Sequence, residues 1–404
     1  MKLRQAQLPF QQAQLPKGWE MKKLGEVCDE LFAGGDVPKD NYSKAKSDVH
    51  NFPIYSNGEK NKGLYGFTNV IRVNKPSITI SARGTIGYSE IRKENYYPAI
   101  RLIVVIPRIE ILDLFFLNYV ISSIDFTHSG SSIPQLTVPM IKEYPIPVPP
   151  LPEQKRIVAI LDKAFVAIAK AKANAEQNLK NAKELFESYL QGVFDPSTRS
   201  GQGGEGWEEK TLGEVCKVMN GGTPDTTVPK FWGGENLWIT PKDMGKLESI
   251  FVDDTFRKIT DEGLKNSSAK ILPSNSIILS SRAPIGHLAI NTKPISTNQG
   301  CKGLVPKKNI SALYIYYFLL KSVDLLNSLG SGTTFKELSG SKLSEVIIPI
   351  PKTLKEQQSI VKSFNALSAE TKKLEAIYQQ KINDLEELKK SILQKAFNGE
   401  LKTK

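Results

Sequence analysis

The chain has 404 residues, 40% of them hydrophobic and 24% charged, which is too long for one ordinary core and predicts a globular protein of two domains. Its three cysteines form no Cys-x-x-Cys pair, which excludes a disulfide scaffold and a zinc ribbon and indicates a reducing compartment. The net charge of +12 favours an anionic partner: nucleic acid first, an acidic protein or membrane surface second.

The N-terminal residues 1–19 are rich in glutamine and contain no apolar stretch, so they do not have the pattern of a signal peptide. The longest apolar run, ALYIYYFLL at 312–320, is too short to span a bilayer. We therefore expect a soluble, cytoplasmic protein.

One phrase occurs twice, as GWEMKKLGEVC at 18–28 and as GWEEKTLGEVC at 206–216. Later segments also match in the same order, among them SARGTIG with SRAPIG, SGSSIPQLT with SGTTFKELS, and EQKRIV with EQQSIV. A long repeat of this kind predicts a duplicated fold. Cys28 and Cys216 occupy equivalent places in the two copies, and we expect both to be small buried residues rather than reactive thiols.

Each copy begins with a mixed segment. Short β-rich runs are bounded by Pro, Gly, Asn and Ser, and include SITISAR (77–83), RLIVVIP (101–107), SIILSSR (276–282) and EVIIPIP (345–351). Residues 110–124 and 311–326 have helical periodicity. This pattern predicts an α+β domain in each copy, closed by a Pro-rich segment.

Each copy ends in a long stretch, up to Phe194 in the first and Phe397 in the second, with no Pro after Pro152 or Pro351. Apolar residues at alternating spacings of four and three predict a heptad seam on a helix roughly 60 Å long. The seam residues that we expect to form a helix-pairing interface are Ile157, Leu161, Ile168, Leu185, Tyr189, Ile360, Phe364, Leu374, Tyr378, Leu388 and Ile392.

The direction of this pairing does not follow from packing, because parallel and antiparallel arrangements both set small residues against large ones. A pseudo-twofold axis relating two tandem copies requires antiparallel helices, so we predict that arrangement. The alternative is that each helix packs only on its own domain.

Catalytic and metal-binding patterns are absent from the sequence. His50, His128 and His287 have no metal-ligand spacing. GQGGEG (201–206) matches the dinucleotide-binding pattern, but it follows a predicted helix instead of a strand. It lies within a Ser/Gly-rich run, which is typical of a linker. With no phosphate loop, nucleophile or paired acid and base, we predict a non-catalytic binding protein with no metal and no cofactor of its own.

Reading DNA sequence requires forked donors and acceptors, namely Arg for guanine and Asn or Gln for adenine. Arg83 and Arg282 each follow a β-run, and a structural pairing of either with a carboxylate is the alternative. Hydroxyl groups suit phosphate oxygens, although they also cap helices. The full set of candidate DNA-binding residues is Lys60, Arg83, Arg101, Ser131, Ser132, Thr223, Lys242, Arg282, Asn298, Gln299, Thr333 and Thr334.

The chain resembles the specificity subunit of type I restriction–modification systems. The residues that carry the resemblance are the two opening phrases, NGGTPDTTVPKFWGGENLWITPKDM (220–244), SSRAPIGHLAI (280–290), STNQG (296–300), PIPVPPLPEQKRIVAILDKAF (145–165), IPIPKTLKEQQSIV (348–361) and LKKSILQKAFNGEL (388–401). The first copy lacks the GGTP and Trp-x-Gly phrases of the second.

This resemblance implies an α+β protein in which two target-recognition domains alternate with two long helices, paired as an antiparallel coiled coil about a pseudo-twofold axis. The expected segments are 1–150 (tail and first recognition domain), 151–197 (first helix), 198–352 (linker and second recognition domain) and 353–404 (second helix and tail).

It also implies a function and partners. Each recognition domain would bind one half of a bipartite, asymmetric site in double-stranded DNA, and the helices would set the spacing. Two adenine-N6 methyltransferase subunits would bind S-adenosylmethionine, and two restriction subunits would use ATP and Mg²⁺. The alternative is a structural coiled-coil adaptor that bridges two proteins without sequence-specific DNA binding.

Overall fold

The computed structural model describes residues 15–126, 135–195, 207–282, 284–332 and 336–401. The linker predicted at 201–206, and the tail before residue 15, lie outside these residues. The chain forms two compact units, one made of residues 1–176 with 379–404 and the other of residues 177–378. Each unit therefore contains one globular part and a portion of each long helix.

In the described residues, the strands of the first unit's globular part are β1 (Glu20–Lys23), β2 (Cys28–Ala33), β3 (Phe52–Tyr55), β4 (Leu64–Thr68), β5 (Ser77–Ile80), β6 (Ser89–Arg92), β7 (Tyr97–Pro98), β8 (Ile103–Pro107) and β9 (Pro145–Val148). Within these residues they form three small sheets, with strand orders β2-β8-β5-β6, β4-β3-β7 and β1-β9. Its short helices are Leu114–Ser123 and Val138–Lys142, with 3-10 turns at Leu24–Glu26 and Lys60–Gly63.

The globular part of the second unit repeats this plan. Its strands are β10 (Trp207–Thr211), β11 (Cys216–Asn220), β12 (Trp232–Ile239), β13 (Phe251–Val252), β14 (Arg257–Ile259), β15 (Ile277–Ser281), β16 (Ile285–Asn291), β17 (Ile295–Thr297), β18 (Cys301–Pro306) and β19 (Ile347–Pro351). Their orders in the sheets are β11-β18-β15-β16-β13, β14-β12-β17 and β10-β19. Its short helices are Leu212–Val215, Pro241–Met244, Asp261–Lys265, Ala312–Lys321, Val323–Leu329 and Gly340–Ser344, with a 3-10 turn at Pro229–Phe231.

The repeated opening phrase forms the first strand of each globular part, and this strand pairs with the last one. Glu20 lies opposite Val148 in an antiparallel ribbon, and Trp207 lies opposite Pro351 in the same way. The Pro-rich closing strand can occupy this place because each ribbon has only two strands, so a missing N–H can face away from the partner. Each copy of the phrase therefore supplies the strand that pairs the start of its globular part with the end.

Burial of the equivalent cysteines confirms their structural role. Cys28 is 7% exposed and Cys216 is 1% exposed, and both are free thiols. Removal from water raises the pKa of each thiol to about 12, because burial disfavours the thiolate. Neither sulfur is therefore a nucleophile at neutral pH.

The two long helices are Leu151–Phe194 and Leu354–Phe397, each of 44 residues. Their portions in the first unit run antiparallel: Arg156 donates to the Leu401 carbonyl at 3.1 Å, and Lys172 forms an ion pair with Glu386. In the second unit the end of the first helix meets the start of the second, where the Phe194 and Phe364 rings stack at 5.8 Å. The predicted antiparallel pairing is confirmed.

The buried stripe of the helices departs in places from the strict spacing of four and three. Four predicted interface residues are 36–49% exposed: Leu185, Tyr189, Leu374 and Leu388. Near the end of the first helix the buried residue is Leu190, which is 4% exposed, instead of the predicted Tyr189. The shift arises because the side chains of a straight α-helix rotate by about 20° per heptad relative to a 3.5-residue repeat. Tyr189 nevertheless packs its ring on that of Phe364 at 5.8 Å.

The other predicted interface residues lie within the stripe. Ile157, Leu161 and Phe364 are completely buried, and the half-buried ones are Ile168, Ile360, Tyr378 and Ile392.

A buried glutamine near the start of each long helix joins that helix to the globular part of its unit. The Gln154 amide donates to the Pro149 and Ile111 carbonyls at 2.7 and 2.9 Å and accepts from the Asp113 N–H at 2.7 Å. Asp113 in turn caps the helix Leu114–Ser123. This is the physical reason for the glutamine that occurs near the start of each long helix.

The second copy repeats this arrangement with Gln357. Its amide accepts from the Ser311 N–H at 2.9 Å and donates to the Pro351 carbonyl at 3.2 Å. Ser311 caps the helix Ala312–Lys321, as Asp113 does in the first copy.

Candidate nucleic-acid interface

The second unit brings several predicted residues together in the turn that follows β17. The Asn298 amide donates to the Thr223 hydroxyl and to the Gln299 side-chain amide oxygen, both at 2.8 Å, and accepts from the Gly300 N–H at 2.7 Å. The Thr223 hydroxyl also donates to Gln299. Asn298 therefore holds the turn together. Gln299 is exposed, and its amide oxygen accepts from both Asn298 and Thr223.

Arg282 lies beside this turn. A Cβ on Gly300 would approach the Arg282 Nε to 3.0 Å, so the glycine allows the guanidinium to lie against the turn. The guanidinium pairs with the Glu337 carboxylate at 3.6 Å, and the nearly buried Lys302 ammonium lies 3.8 Å from the same carboxylate. Arg282 therefore pairs with a carboxylate, as expected if its role is structural. Its side chain is nevertheless 36% exposed.

The first unit brings three loops together in the same way. The Asn57 side chain accepts from the Ala82 N–H at 2.7 Å and donates to the Ile100 carbonyl at 2.5 Å. These two bonds join the loop of Lys60 to those of Arg83 and Arg101. All three cationic side chains are exposed, so these loops present three cationic groups to solvent.

Arg83 and Arg101 have distinct local environments. The Arg83 guanidinium donates to the Gln135 amide oxygen at 2.9 Å. Arg101 has a φ of +63° and follows Ile100 at +51°, a left-handed backbone that non-glycine residues rarely adopt. The equivalent residue of the second copy is Gly300. Strain of this kind concentrates at functional sites, which favours a binding role for Arg101.

The glycine pair at 221–222 has a counterpart in the first copy that the sequence comparison missed. Gly34 donates to the Leu102 carbonyl at 2.7 Å, as Gly221 does to the Cys301 carbonyl at 3.2 Å. A Cβ on Gly34 would lie 2.6 Å from the Pro98 carbonyl oxygen, so only glycine fits. Ala33-Gly34-Gly35 therefore stands where the second copy has Asn220-Gly221-Gly222.

A β-bulge explains why this match was missed. Cys28 pairs with Pro107 and Glu30 with Ile106, whereas Cys216 and Lys217 pair with Pro306 and Val305 without interruption. The bulge adds one residue to β2 and shifts the glycine pair relative to the opening phrase.

The remaining predicted residues are Lys242 and the four hydroxyl residues. Lys242 is exposed in the short helix Pro241–Met244, whose first residue, Pro241, is also a neighbour of Gly300. Ser131, Ser132, Thr333 and Thr334 lie outside the described residues.

Phe256 is a surface residue that sequence reasoning missed. Its side chain is 92% exposed, and it precedes β14, where Arg257 lies opposite Trp238 in β12. The next residue of β12, Ile239, accepts from the Asn298 N–H at 2.9 Å. Phe256 is therefore at the same end of the sheet as the Asn298 turn. Lone exposed aromatic residues have no periodicity in a sequence, so no signal marked this one.

The part of the chain that the structure describes contains neither a metal-binding cluster nor a membrane-spanning helix. No three His, Cys, Asp or Glu residues there come together in a way that could hold a metal ion. Within the same described ranges, no helix is both long and apolar enough to cross a membrane.

The fold and site define a duplicated α+β binding protein, in which each unit presents cationic and amide side chains from loops at one end of its sheets. Comparison with known proteins agrees. The family model for the type I restriction modification DNA specificity domain matches residues 16–179 and again 204–387. The chain belongs to this family.

Individual relatives give the same result. The chain is 38% identical over 178 residues to the type I restriction enzyme MjaIX specificity subunit of Methanocaldococcus jannaschii, covering 43% of this chain and 41% of that one. It is 35% identical over 232 residues to the EcoR124I/EcoR124II specificity subunit of Escherichia coli, covering 54% of each. The chain thus spans about half the length of these curated relatives.

The fold also matches a solved structure. A chain from work on complex assembly and conformational transition of the type I R-M system aligns with a TM-score of 0.74 at 23% identity, covering 96% of this chain and 99% of that one.

Proposed function

We propose that this chain is a DNA sequence-specificity subunit, in which the loops around Arg83 read one half of a bipartite, asymmetric site and those around Arg282 read the other. One observation carries the proposal: the arginine loop occurs in both units on the same scaffold, with different residues around it. Two readers of this kind would suit two unlike half-sites.

In this proposal the chain has no catalysis of its own. It joins two adenine-N6 methyltransferase subunits, which would bind S-adenosylmethionine, and in the full complex two restriction subunits that use ATP and Mg²⁺. The family membership and the predicted absence of catalytic residues support this division of labour. The test is to co-express the chain with its methyltransferase subunit and sequence the methylome, which should show a bipartite motif.

Exchange of one globular part is expected to change one half-site only. Residues 207–350 would be replaced by the corresponding part of another family member, leaving both long helices intact. Because the loops around Arg83 are untouched, the motif should keep one half and its spacing. The reciprocal exchange of residues 20–148 is the matched control. A change of both halves in either chimaera would contradict the modular account.

Removal of either arginine is expected to relax one base pair. If Arg83 or Arg282 contacts a guanine, its replacement by alanine should cost about 1–3 kcal/mol at that position and little elsewhere. Titrating duplexes with single-base changes would measure this discrimination. Arg83→Lys and Arg282→Lys are the controls, because lysine keeps the charge but loses the fork.

A uniform loss of affinity across all duplexes would instead indicate phosphate contacts. Little DNA affinity and a weak salt dependence, even with methyltransferase subunits present, would favour the structural adaptor.

A further inference from the structure

Each candidate arginine faces one acceptor from a distant segment of its own unit. Arg83 donates to the Gln135 amide oxygen at 2.9 Å, and Arg282 pairs with the Glu337 carboxylate at 3.6 Å. Gln135 lies in SGSSIPQLT and Glu337 at the matching place in SGTTFKELS. The same contact therefore occurs in both copies with different chemistry.

The backbone places the two acceptors equivalently. The Leu136 N–H donates to the Ala82 carbonyl at 3.0 Å, and the Leu338 N–H donates to the Ser281 carbonyl at 2.9 Å. In each copy this bond joins the residue after the acceptor to the residue before the arginine. The backbone therefore holds the acceptor residue and the arginine at equivalent positions in the two units.

The number of neighbouring cations explains why the acceptor is an amide in the first copy and a carboxylate in the second. Glu337 faces two, Arg282 and the nearly buried Lys302. In the first copy the place of Lys302 is taken by Ile103, because Ile80 pairs with Ile103 as Leu279 pairs with Lys302. The acceptor and the cations in direct contact with it form the cluster of each copy. Gln135 with Arg83, and Glu337 with Arg282 and Lys302, each carry one net positive charge.

We propose that Gln135 and Glu337 are positioning residues that orient the Arg83 and Arg282 guanidinium groups for base contact while keeping each cluster at a single positive charge. This inference rests on the proposed function, because it concerns how the same arginines read DNA. Each residue acts through its arginine and does not itself touch a base.

The physical basis is preorganisation. A free arginine side chain loses conformational entropy when it is fixed against a base, and an acceptor that already restricts it reduces that loss. A guanidinium has five N–H donors, so the hydrogen bond of Arg83 to Gln135 and the ion pair of Arg282 with Glu337 leave other donors for the DNA. An acceptor with more negative charge than the cluster needs would repel phosphate.

The test begins with the second copy. Wild-type chain, Glu337→Ala and Glu337→Gln would each be purified with the methyltransferase subunits and titrated with the cognate duplex and with every single-base change. E337A is expected to lower discrimination at one base pair of one half-site roughly 5- to 100-fold. E337Q keeps an acceptor oxygen at the same place and is expected to retain most of that discrimination.

The charge part of the inference has its own readout. E337Q leaves two cations without an anion, so it should raise affinity for all duplexes and steepen the slope of log K against log salt by up to about 0.9. Gln135→Glu adds an anion beside one cation and should make that slope shallower by a similar amount. Q135A should relax one base pair of the other half-site.

These outcomes separate the inference from the proposed function. Discrimination that survives in both E337A and Q135A, or that E337A and E337Q lose equally, would overturn the orienting role while wild type still reads a bipartite site. Wild-type complexes that bind all duplexes alike would remove both proposals. If E337A does not fold, Q135A with Q135E, and E337Q by its salt slope, still decide the matter.

Discussion

Replacing Phe194 by alanine is expected to destabilise the second unit by about 3–5 kcal/mol, the usual cost of truncating a fully buried phenylalanine. The ring lies at the end of the first long helix, 3% exposed, with the rings of Tyr314, Phe318 and Phe364 at 5.4–5.8 Å. The cost includes transfer of the ring to water and the cavity that it leaves.

The measurement is the free energy of unfolding of the full chain in urea, monitored by tryptophan fluorescence. Phe256→Ala is the matched control, because it is the same substitution in the same unit at a side chain that is 92% exposed. It should change stability by no more than about 0.5 kcal/mol. A loss below about 1 kcal/mol for Phe194→Ala would mean that the helix end does not anchor the unit.

Removal of the buried glutamine in either copy is the second large effect. Gln154→Ala leaves the Asp113 N–H and two carbonyls without their partner, and each buried unsatisfied group costs about 1–3 kcal/mol. We therefore expect a marked fall in the urea midpoint. Gln154→Glu should also destabilise, because a carboxylate cannot donate to the two carbonyls.

Gln357→Ala tests the same arrangement in the second unit. Gln358→Ala is its control, since Gln358 is the next residue of the same helix and is exposed. Equal stability of Q357A and Q358A would show that the buried amide does not join the helix to the globular part.

The long helices were predictable because their signal is local and long. Proline-free stretches with regular apolar spacing place their ends close to Leu151, Phe194, Leu354 and Phe397. Their direction needed an argument from symmetry, because packing alone allowed both. The exact set of buried residues was harder to predict, since the rotation of a straight helix relative to the heptad repeat becomes large only over several heptads.

The candidate site was predictable in part. Arg83 and Arg282 stand out because each follows a β-run in a repeated phrase. Their acceptors, Gln135 and Glu337, could not be found from spacing, because sequence separation says nothing about which loops fold together. Asn298 is the residue type expected of an adenine reader, but its amide is already hydrogen-bonded to Thr223, Gln299 and Gly300.

The bulge in β2 has a practical consequence for anyone who engineers recognition loops in this chain. A transplant designed by counting residues from the opening phrase would place the side chains of β2 that follow the bulge one position out, and would turn each of them to the opposite face of its sheet. Counting along this strand should start from Gly34 in the first copy and from Gly221 in the second, since their backbone bonds are equivalent.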